Sequence, residues 1–320
     1  MKGLKTSTIC LSCICLISCL ACQDKESDSR SDPQEGFVQL ASGKVWYRLT
    51  GTNARGIPLI VVHGGPGASH FYLENLDRLA VDRPVLFYDQ LGCGLSDRPA
   101  DTAYFATEYF VEELEAIRKH FNFNVFHLLG QSWGAFLSLS YLEHYGDAGL
   151  KSLTLSGPLI SSELWLSDQQ IWIDQLPVGV KDTIRKYEAN GDFASAAYLE
   201  AMDFFYRRHL CRLDPWPPAL LATFDNMGAE VYRYMWGPSE FTLTGTLKGA
   251  DASPVLKNIT KPCLITCGEF DEARPETMEM FSAMMLNSIL IVYPDASHAH
   301  HLEAESDYLN DLRNFLKEND

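Results

Sequence analysis

Basic residues are scarce in this sequence. Its 320 residues include 26 Lys and Arg against 42 Asp and Glu, which gives a formal net charge of −16. An acid excess of this size repels phosphate backbones, so nucleic acid is not an expected partner. A cationic small ligand suits this charge better. The length and the 46% hydrophobic content are sufficient for a large core that needs neither disulfides nor metal.

Cysteine is also sparse in the part of the chain that is expected to fold. Five of the nine cysteines lie in the first 22 residues. The other four match no metal-binding spacing and are expected to be buried free thiols: Cys93, Cys211, Cys263 and Cys267. A small disulfide scaffold is therefore excluded, and no metal site is predicted. The sequence also contains no internal repeat.

The apolar stretch at the start of the chain is short for a membrane span. Lys2 and Lys5 are followed by an apolar run from Thr8 to Ala21. A positive start followed by a short run of this kind is typical of a secretory signal. Residues 1–22 are therefore predicted to be a lipoprotein-type signal segment rather than part of the fold.

A possible lipidation site lies at the end of this segment. The sequence LISC at 16–19 resembles the bacterial lipobox, in which the cysteine becomes the lipidated first residue of the mature protein. Cys19 is the expected site, with Cys22 as the alternative. We therefore expect a protein held by a lipid anchor in the cell envelope of a bacterium, on its periplasmic or outer surface. A plain cleaved signal, leading to secretion, and an uncleaved anchor are the alternatives.

The folded part is expected to begin near Phe37. Residues 23–36 contain no aliphatic or aromatic side chain, so they are predicted to be a flexible tether. Further on, apolar runs typical of buried strands alternate with amphipathic stretches typical of helices. This alternation predicts an α/β fold with a mostly parallel sheet and helices on both faces. The predicted core comprises residues 37–157 and 251–320. Its predicted strands are 37–40, 44–49, 58–62, 84–88, 125–129, 150–156, 262–267 and 289–293, and its predicted helices are 107–120, 133–144, 278–284 and 304–317.

The stretch 158–250 differs from the rest of the chain. It has no sheet-like runs, contains a helical stretch at 193–210 and holds four of the six tryptophans. We predict that it is a helical insertion that caps the sheet. The tryptophans could line a pocket, but core packing would explain them equally well.

A candidate nucleophile follows the predicted strand 125–129. The sequence GQSWG at 130–134 is a G-x-S-x-G motif between a strand and a helix. In this setting the two glycines permit a sharp turn that exposes the serine hydroxyl. Ser132 is therefore the predicted catalytic nucleophile.

A serine hydroxyl needs a base, and the base needs an acid to orient it. Asp271 follows the predicted strand 262–267, and His298 follows 289–293, so both are expected at the carboxyl edge of the sheet. Other candidates lie nearby: Glu269 and Glu272 for the acid, His300 and His301 for the base. We interpret the last two histidines as solvated residues of a loop or helix start.

A glycine-rich turn is the candidate oxyanion hole. HGGPG at 63–67 follows the predicted strand 58–62, and acyl transfer needs two backbone N–H groups aimed at the developing oxyanion. Gly65 is the expected first donor, with Gly64 as the alternative, and Trp133 supplies the second. The turn could also serve folding alone. His63 is interpreted as a structural hydrogen-bonding residue.

Several motifs together resemble the prolyl iminopeptidase family of α/β-hydrolase serine aminopeptidases. They are HGGPG at 63–67, DQLGCGLS at 89–96, GQSWG at 130–134, GPSEF at 237–241 and GEFDE at 268–272. The match runs in order from about residue 37 to 318. The resemblance implies an α/β-hydrolase fold with an inserted helical cap, and it implies Ser132, Asp271 and His298 as the catalytic triad. Gln131 stands where one group of the family has glycine and another has glutamine, and the two groups are expected to differ in substrate range.

The resemblance also implies residues that bind the substrate. Glu240 and Glu272 match carboxylates that hold the free amino group of the substrate in this family, although internal salt bridges are an alternative role. Trp236, close to Glu240, is the candidate for a substrate pocket. The expected activity is release of an N-terminal residue, preferentially proline, from short peptides with a free N-terminus, without metal or organic cofactor. An esterase, amidase or lactonase using the same triad is the alternative, and a non-catalytic binding lipoprotein is a further one.

Overall fold

A computed structural model describes residues 33–320, whose strands form one eight-stranded sheet. The sheet order is β1-β2-β4-β3-β5-β6-β7-β8. The strands are β1 (Gln34–Leu40), β2 (Gly43–Thr50), β3 (Leu59–Val62), β4 (Val85–Tyr88), β5 (Phe126–Gln131), β6 (Leu150–Ser156), β7 (Cys263–Gly268) and β8 (Ser288–Tyr293). β1 pairs antiparallel with β2 and β2 antiparallel with β4, whereas all other pairs are parallel. The carboxyl ends of the parallel strands therefore share one edge, where ligands bind in open α/β sheets.

Residues 33–320 also form eleven α-helices. They are α1 (Thr107–His120), α2 (Trp133–Tyr145), α3 (Ser162–Gln175), α4 (Val178–Asn190), α5 (Ala196–His209), α6 (Pro218–Asp225), α7 (Ala229–Met235), α8 (Ser253–Leu256), α9 (Pro275–Ala283), α10 (His300–Glu303) and α11 (Glu305–Glu318). Helices α3 to α7 lie between β6 and β7, in the stretch where the sequence predicts a cap. The α/β class with a mostly parallel sheet, expected from the sequence, is thereby confirmed.

Two apolar clusters cover the two faces of the sheet. Ile60 and Val62 of β3 pack on one face with side chains of α1 and α2. Leu59 and Val61 of the same strand pack on the other face with side chains of α11. Because successive side chains of a strand point to opposite faces, a continuous apolar run is what a strand buried on both sides requires. The helices between β6 and β7 have a cluster of their own: Ile173, Leu176, Ile184, Ala201 and Phe205.

The first strand begins earlier than the sequence suggested. β1 starts at Gln34, three residues before the predicted start of the fold at Phe37, so the predicted tether 23–36 is wrong at its last three positions. Gln34 pairs with Leu49 and Gly36 with Tyr47. Such pairing uses backbone hydrogen bonds, which need no apolar side chain. The rest of the tether and the signal segment 1–22 lie outside the described residues.

A long 3-10 segment, His70–Val81, has no counterpart among the predicted elements. Leu73, Leu76 and Leu79 recur every three residues and are buried. This spacing matches the three residues per turn of a 3-10 helix and not the α-helical period. A second short 3-10 turn occupies Thr102–Phe105. Among residues 33–320, no helix combines the length and apolar character needed to cross a membrane.

Candidate active site

Ser132 lies on a strained turn between β5 and α2. Its backbone has φ 55° and ψ −122°, outside the regions that L-residues usually adopt. A Cβ at Gly130 would lie 2.3 Å from the carbonyl oxygen of Gly134, and a Cβ at Gly134 would lie 2.2 Å from that of Val62. The tight packing of the turn against β3 therefore requires both glycines of the motif. Strain of this kind persists where surrounding packing enforces it, commonly at functional sites.

His298 and Asp271 are brought together by the loops that follow β8 and β7. His298 Nδ1 lies 2.8 Å from Asp271 Oδ1. The aspartate is fully buried and also accepts hydrogen bonds from the backbone N–H groups of Ala273, at 2.9 Å, and Gly268, at 3.2 Å. Burial alone would raise the pKa of Asp271, but the two histidines beside it, His298 and His300, hold that pKa below its usual range. Asp271 is therefore a carboxylate that keeps the proton of the His298 ring on Nδ1.

His300 and His301 begin α10, as expected, but they are completely buried, so the prediction that they are solvated is wrong. His300 Nε2 lies 3.0 Å from Ser156 Oγ, on β6, and 2.9 Å from Thr266 Oγ1, on β7. His301 Nε2 lies 3.0 Å from the carbonyl oxygen of Tyr72, and burial lowers the pKa of His301 to about 3. Both rings support the wall of the site. In the described part of the chain, no three His, Cys, Asp or Glu side chains are grouped so that they could hold a metal ion.

The two candidate oxyanion glycines differ in their surroundings. The Gly64 N–H donates to the Tyr72 hydroxyl at 2.8 Å. Gly65 lines the cavity beside Ser132 and has φ 110°, a conformation that suits glycine. Trp133 is the first residue of α2, so its N–H has no acceptor within the helix. Gly65 and Trp133 thus remain suitable as donors, while Gly64 is engaged elsewhere.

His63 and Gln90 form buried hydrogen bonds that connect the glycine turn to the nucleophile turn. His63 Nε2 accepts from the Gln90 N–H at 2.9 Å, and its Nδ1 lies 2.9 Å from the carbonyl oxygen of Gly64. Burial lowers the pKa of His63 to about 4. Gln90 Oε1 accepts from the Trp133 indole at 2.9 Å. His63 therefore serves as a neutral hydrogen-bonding residue that links the glycine turn to the nucleophile turn.

A cavity of about 410 Å³ lies above Ser132, between the sheet edge and helices α3, α5, α6 and α7. Of the residues singled out from the sequence, those that line it are Gly65, Gln131, Ser132, Trp236, Glu240, Glu272, His298 and His301. Asp271 lies behind His298 and does not line it. Most of the remaining wall is aromatic or aliphatic, which suits an apolar side chain or ring.

Two carboxylates, together with the exposed Arg233, are charged groups of this cavity. Glu240 Oε1 accepts from Gln169 Nε2 at 2.8 Å, and its Oε2 accepts from the Tyr232 hydroxyl at 2.9 Å. Glu272 is only 3% exposed, and its Oε1 has no hydrogen-bond partner among the described residues. Burial, together with the neighbouring charges of Glu240 and Asp271, raises the pKa of Glu272 well above its usual value. Within residues 33–320 neither glutamate forms an ion pair, so the alternative of internal salt bridges has no support there.

Tryptophans of the helical insertion contact the catalytic loops. The Trp172 indole donates to the carbonyl oxygen of Asp271 at 2.8 Å. The Trp165 ring packs edge-on against His298, with ring centroids 5.5 Å apart. The N–H of His298 donates to the carbonyl oxygen of His209, at the end of α5. The insertion is thus joined directly to both the acid and the base.

Sequence reasoning missed residues that contact the predicted ones. Gln169 and Tyr232 hold Glu240, and Tyr72 lies in the unpredicted 3-10 segment. No motif marks these positions, because their partners are distant in sequence. Gln131 was noted as a departure from the family pattern, but its contact with His298 was not foreseen.

Comparison with known proteins shows consistent matches along the chain. The sequence profile of the alpha/beta hydrolase fold family matches residues 57–305. A proline iminopeptidase from Heyndrickxia coagulans is 42% identical, over 88% of this chain and 98% of that protein. One from Thermoplasma volcanium is 39% identical, over 89% of this chain and 97% of that protein.

Solved structures agree with these matches. The crystal structure of proline iminopeptidase from Mycobacterium smegmatis superimposes with a TM-score of 0.83, is 34% identical, and covers 89% of this chain and 98% of its own. The crystal structure of VinJ gives a TM-score of 0.86 at 31% identity, over 90% of this chain and 99% of its own. An esterase from Exiguobacterium antarcticum, at 17% identity and a TM-score of 0.64, covers 89% of this chain and 100% of its own and shares the fold alone.

Proposed function

Because the chain belongs to the proline iminopeptidase family of α/β hydrolases, we propose that it is a serine aminopeptidase that releases an N-terminal residue, preferentially proline, from short peptides. One observation carries this proposal. Glu272 is a buried carboxyl group that forms no ion pair within residues 33–320, and it lines the same cavity as Ser132 and His298. A carboxylate in this position needs a positively charged partner, and the α-ammonium group of a peptide supplies one.

The proposed reaction proceeds through an acyl-enzyme. Ser132 Oγ attacks the scissile carbonyl carbon while His298 Nε2 takes the hydroxyl proton, and the buried carboxylate of Asp271 stabilises the imidazolium. The N–H groups of Gly65 and Trp133 receive the oxyanion. The imidazolium returns its proton to the leaving amine as the peptide bond breaks. Water then attacks the ester, again with His298 as base, and frees the amino acid and Ser132.

The shape and charge of the cavity account for the proposed preference for an N-terminal proline. Glu240 and Glu272 bind the ammonium group, which fixes how far the first residue enters and places the following peptide bond at Ser132. The apolar wall, including Trp236, surrounds the proline ring. In this proposal residues 158–250 act as the cap that holds Trp236 and Glu240 over the core formed by 37–157 and 251–320.

Blocking the amino group tests this proposal. The purified protein is expected to cleave the arylamides of proline and alanine, proline faster, and to leave N-acetyl-proline arylamide intact, because the acetylated nitrogen carries no charge. Glu240→Gln is expected to lower kcat/KM for proline arylamide by about 10²-fold, since one partner of a largely desolvated charge pair is removed. Glu230→Gln is the matched control, because Glu230 is exposed on α7 and lies outside the cavity.

A different result would favour the alternative chemistry. If the protein ignored all three arylamides but cleaved a p-nitrophenyl ester through Ser132, the triad proposal would survive. The amine-binding role of Glu240 and Glu272 would then be rejected in favour of an esterase, amidase or lactonase.

We also propose that the protein is lipid-anchored in a bacterial cell envelope. Support comes from the basic start of the chain, the apolar run that follows and the LISC sequence ending at Cys19. Such a location fits hydrolysis of peptides outside the cytoplasm. Secretion after cleavage of a plain signal is the alternative.

Labelling with palmitate in a bacterial host tests the anchor. The wild-type protein and Cys22→Ala are expected to incorporate label and to sediment with membranes, whereas Cys19→Ala is expected to lose both properties. Loss of label only in Cys22→Ala would move the site to Cys22. A wild-type protein that takes up no label and appears in the medium would contradict the anchor.

A further inference from the structure

Gln131 connects the predicted catalytic base to the glycine turn. Its Oε1 lies 2.5 Å from the Tyr72 hydroxyl, and its Nε2 lies 3.0 Å from His298 Nε2. The Tyr72 hydroxyl in turn receives the N–H of Gly64 at 2.8 Å. Tyr72 is 6% exposed and Gln131 is 2% exposed, so both side chains are buried although they line the cavity.

The direction of each hydrogen bond follows from the partners. Asp271 keeps a proton on Nδ1 of His298, so Nε2 of the neutral ring is an acceptor. The hydroxyl oxygen of Tyr72 accepts from Gly64, which leaves the phenolic hydrogen free to donate to Gln131 Oε1. Burial raises the pKa of Tyr72, so the phenol keeps this hydrogen. The amide of Gln131 must therefore present its NH₂ group to His298 Nε2.

This contact occupies the lone pair that the reaction uses. In the proposed mechanism, His298 Nε2 takes the proton of Ser132. The hydrogen bond that Nε2 makes in the described chain is with Gln131 and not with the Ser132 hydroxyl. An N–H donor at Nε2 stabilises the neutral ring and opposes its protonation.

We propose that Gln131 is a positioning residue, which together with Tyr72 fixes the orientation of the His298 ring in the free enzyme by donating a hydrogen bond to its Nε2. This inference rests on the proposed triad. It assigns to Gln131 a role that no motif indicates and that a glycine at the same position could not perform. Gly64 is part of the arrangement, since a Cβ there would lie 2.6 Å from Gln131 Oε1 and 2.9 Å from the Tyr72 hydroxyl.

Other titratable groups also face His298 and remain in place when Gln131 is changed. Those on the core side are Asp271 and Glu272 after β7, His300 and His301 of α10, and Tyr72 of the 3-10 segment. His209 at the end of α5 and Glu240 approach from the side of the helical insertion. A change confined to Gln131 therefore isolates the contribution of its amide.

The test is the pH profile of kcat/KM for proline arylamide, which reports protonation in the free enzyme. Gln131→Met keeps the length of the side chain and removes the donor. It is expected to move the acid limb to higher pH by about half to one unit, the size expected for one lost hydrogen bond. We also expect kcat to fall more than KM rises. Gln131→Glu is expected to move the limb further, because a carboxylate favours the protonated ring.

Two further variants keep the test decisive if a Gln131 variant fails to fold. Tyr72→Phe removes the hydroxyl that orients the amide and is expected to move the acid limb in the same direction by a smaller amount. Tyr141→Phe is the matched control, because Tyr141 is also buried but bonds to Glu115 between α1 and α2. Acid limbs of Gln131→Met and Tyr72→Phe that coincide with wild type would overturn the inference.

Imidazole titration by NMR separates this inference from the proposed function. In the Ser132→Ala background, Gln131→Met is expected to shift the His298 titration upward by the same half to one unit, about what one hydrogen bond contributes. An unchanged titration would overturn the role of Gln131 even if the triad is correct. If Ser132→Ala retained full activity, the proposed function would fail, while the NMR shift would still decide the role of Gln131.

Discussion

Ser132→Ala is expected to lower kcat for proline arylamide by about 10⁴- to 10⁶-fold, because no acyl-enzyme can form without the hydroxyl. Asp271→Asn is expected to cost about 10⁴-fold, since an amide at this position no longer fixes the proton on Nδ1 of His298. Both changes disable the same catalytic triad. The double variant is therefore expected to be little worse than Ser132→Ala alone.

Binding provides the control for this prediction. Ser132→Ala leaves Glu240 and Glu272 intact, so the inactive variant is expected to bind a proline peptide with nearly unchanged affinity in calorimetry. Circular dichroism should show an unchanged fold, because alanine fits the strained turn as well as serine does. Retention of more than about one per cent of kcat by Ser132→Ala would contradict Ser132 as the nucleophile, given the losses expected for such a residue.

Glu272→Gln is expected to stabilise the protein while it disables catalysis. The wild-type side chain is 3% exposed, and its Oε1 has no hydrogen-bond partner in the described chain. Glutamine has a similar shape and no charge, so the free energy of unfolding at neutral pH should rise by about 1–3 kcal/mol. In contrast, kcat/KM for proline arylamide should fall by about 10²- to 10³-fold, because the ammonium group loses a buried anionic partner.

The stability gain should depend on pH in a defined direction. The pKa of Glu272 is raised in the folded state by burial and by the charges of Glu240 and Asp271. A raised pKa means that the folded protein holds the proton more tightly than the unfolded chain does. The contribution of Glu272 is thus fully present below the ordinary carboxyl pKa of about 4.3. It is lost as pH rises toward the folded-state value. The advantage of Glu272→Gln should therefore be smallest at acidic pH and grow toward neutral pH.

Urea unfolding of both proteins at several pH values measures this difference. Glu276→Gln is a suitable control, because Glu276 is exposed, pairs with Arg274 and should show no gain that grows with pH. A Glu272→Gln variant that is less stable than wild type at neutral pH would show that the carboxylate is satisfied in the folded protein. Unchanged kcat/KM would argue against its role in binding the amino group.

Local patterns in the sequence were sufficient for the framework of the fold. Helix Thr107–His120 and strand Leu150–Ser156 have the predicted bounds, because amphipathic spacing and an apolar run are properties of the segment itself. The nucleophile turn was also predictable, since the glycines at 130 and 134 are required by contacts within that turn and with the adjacent strand.

Contacts between distant segments could not be predicted in this way. Tyr72 and Gln131 are 59 residues apart, and Gln131 and His298 are 167 residues apart. His301 is interpreted from the sequence as a solvated residue of a loop or helix start, but its buried position depends on Tyr72 in a 3-10 segment that α-helical periodicity does not reveal. Gly157 illustrates the same point, since a Cβ there would lie 2.9 Å from His298 Nδ1, although no motif includes this glycine.

The contacts of Trp165, Trp172 and His209 with the catalytic loops limit how this enzyme can be re-engineered. Exchanging residues 158–250 for the corresponding segment of a relative would exchange the segment that supplies the indole donor to the Asp271 carbonyl oxygen and the backbone carbonyl that accepts from the His298 N–H. Such a chimera would have a new substrate pocket. Its Asp271 and His298 would also be held by different contacts. Selectivity and turnover should therefore be separable only in chimeras that retain both tryptophans and the backbone position of His209.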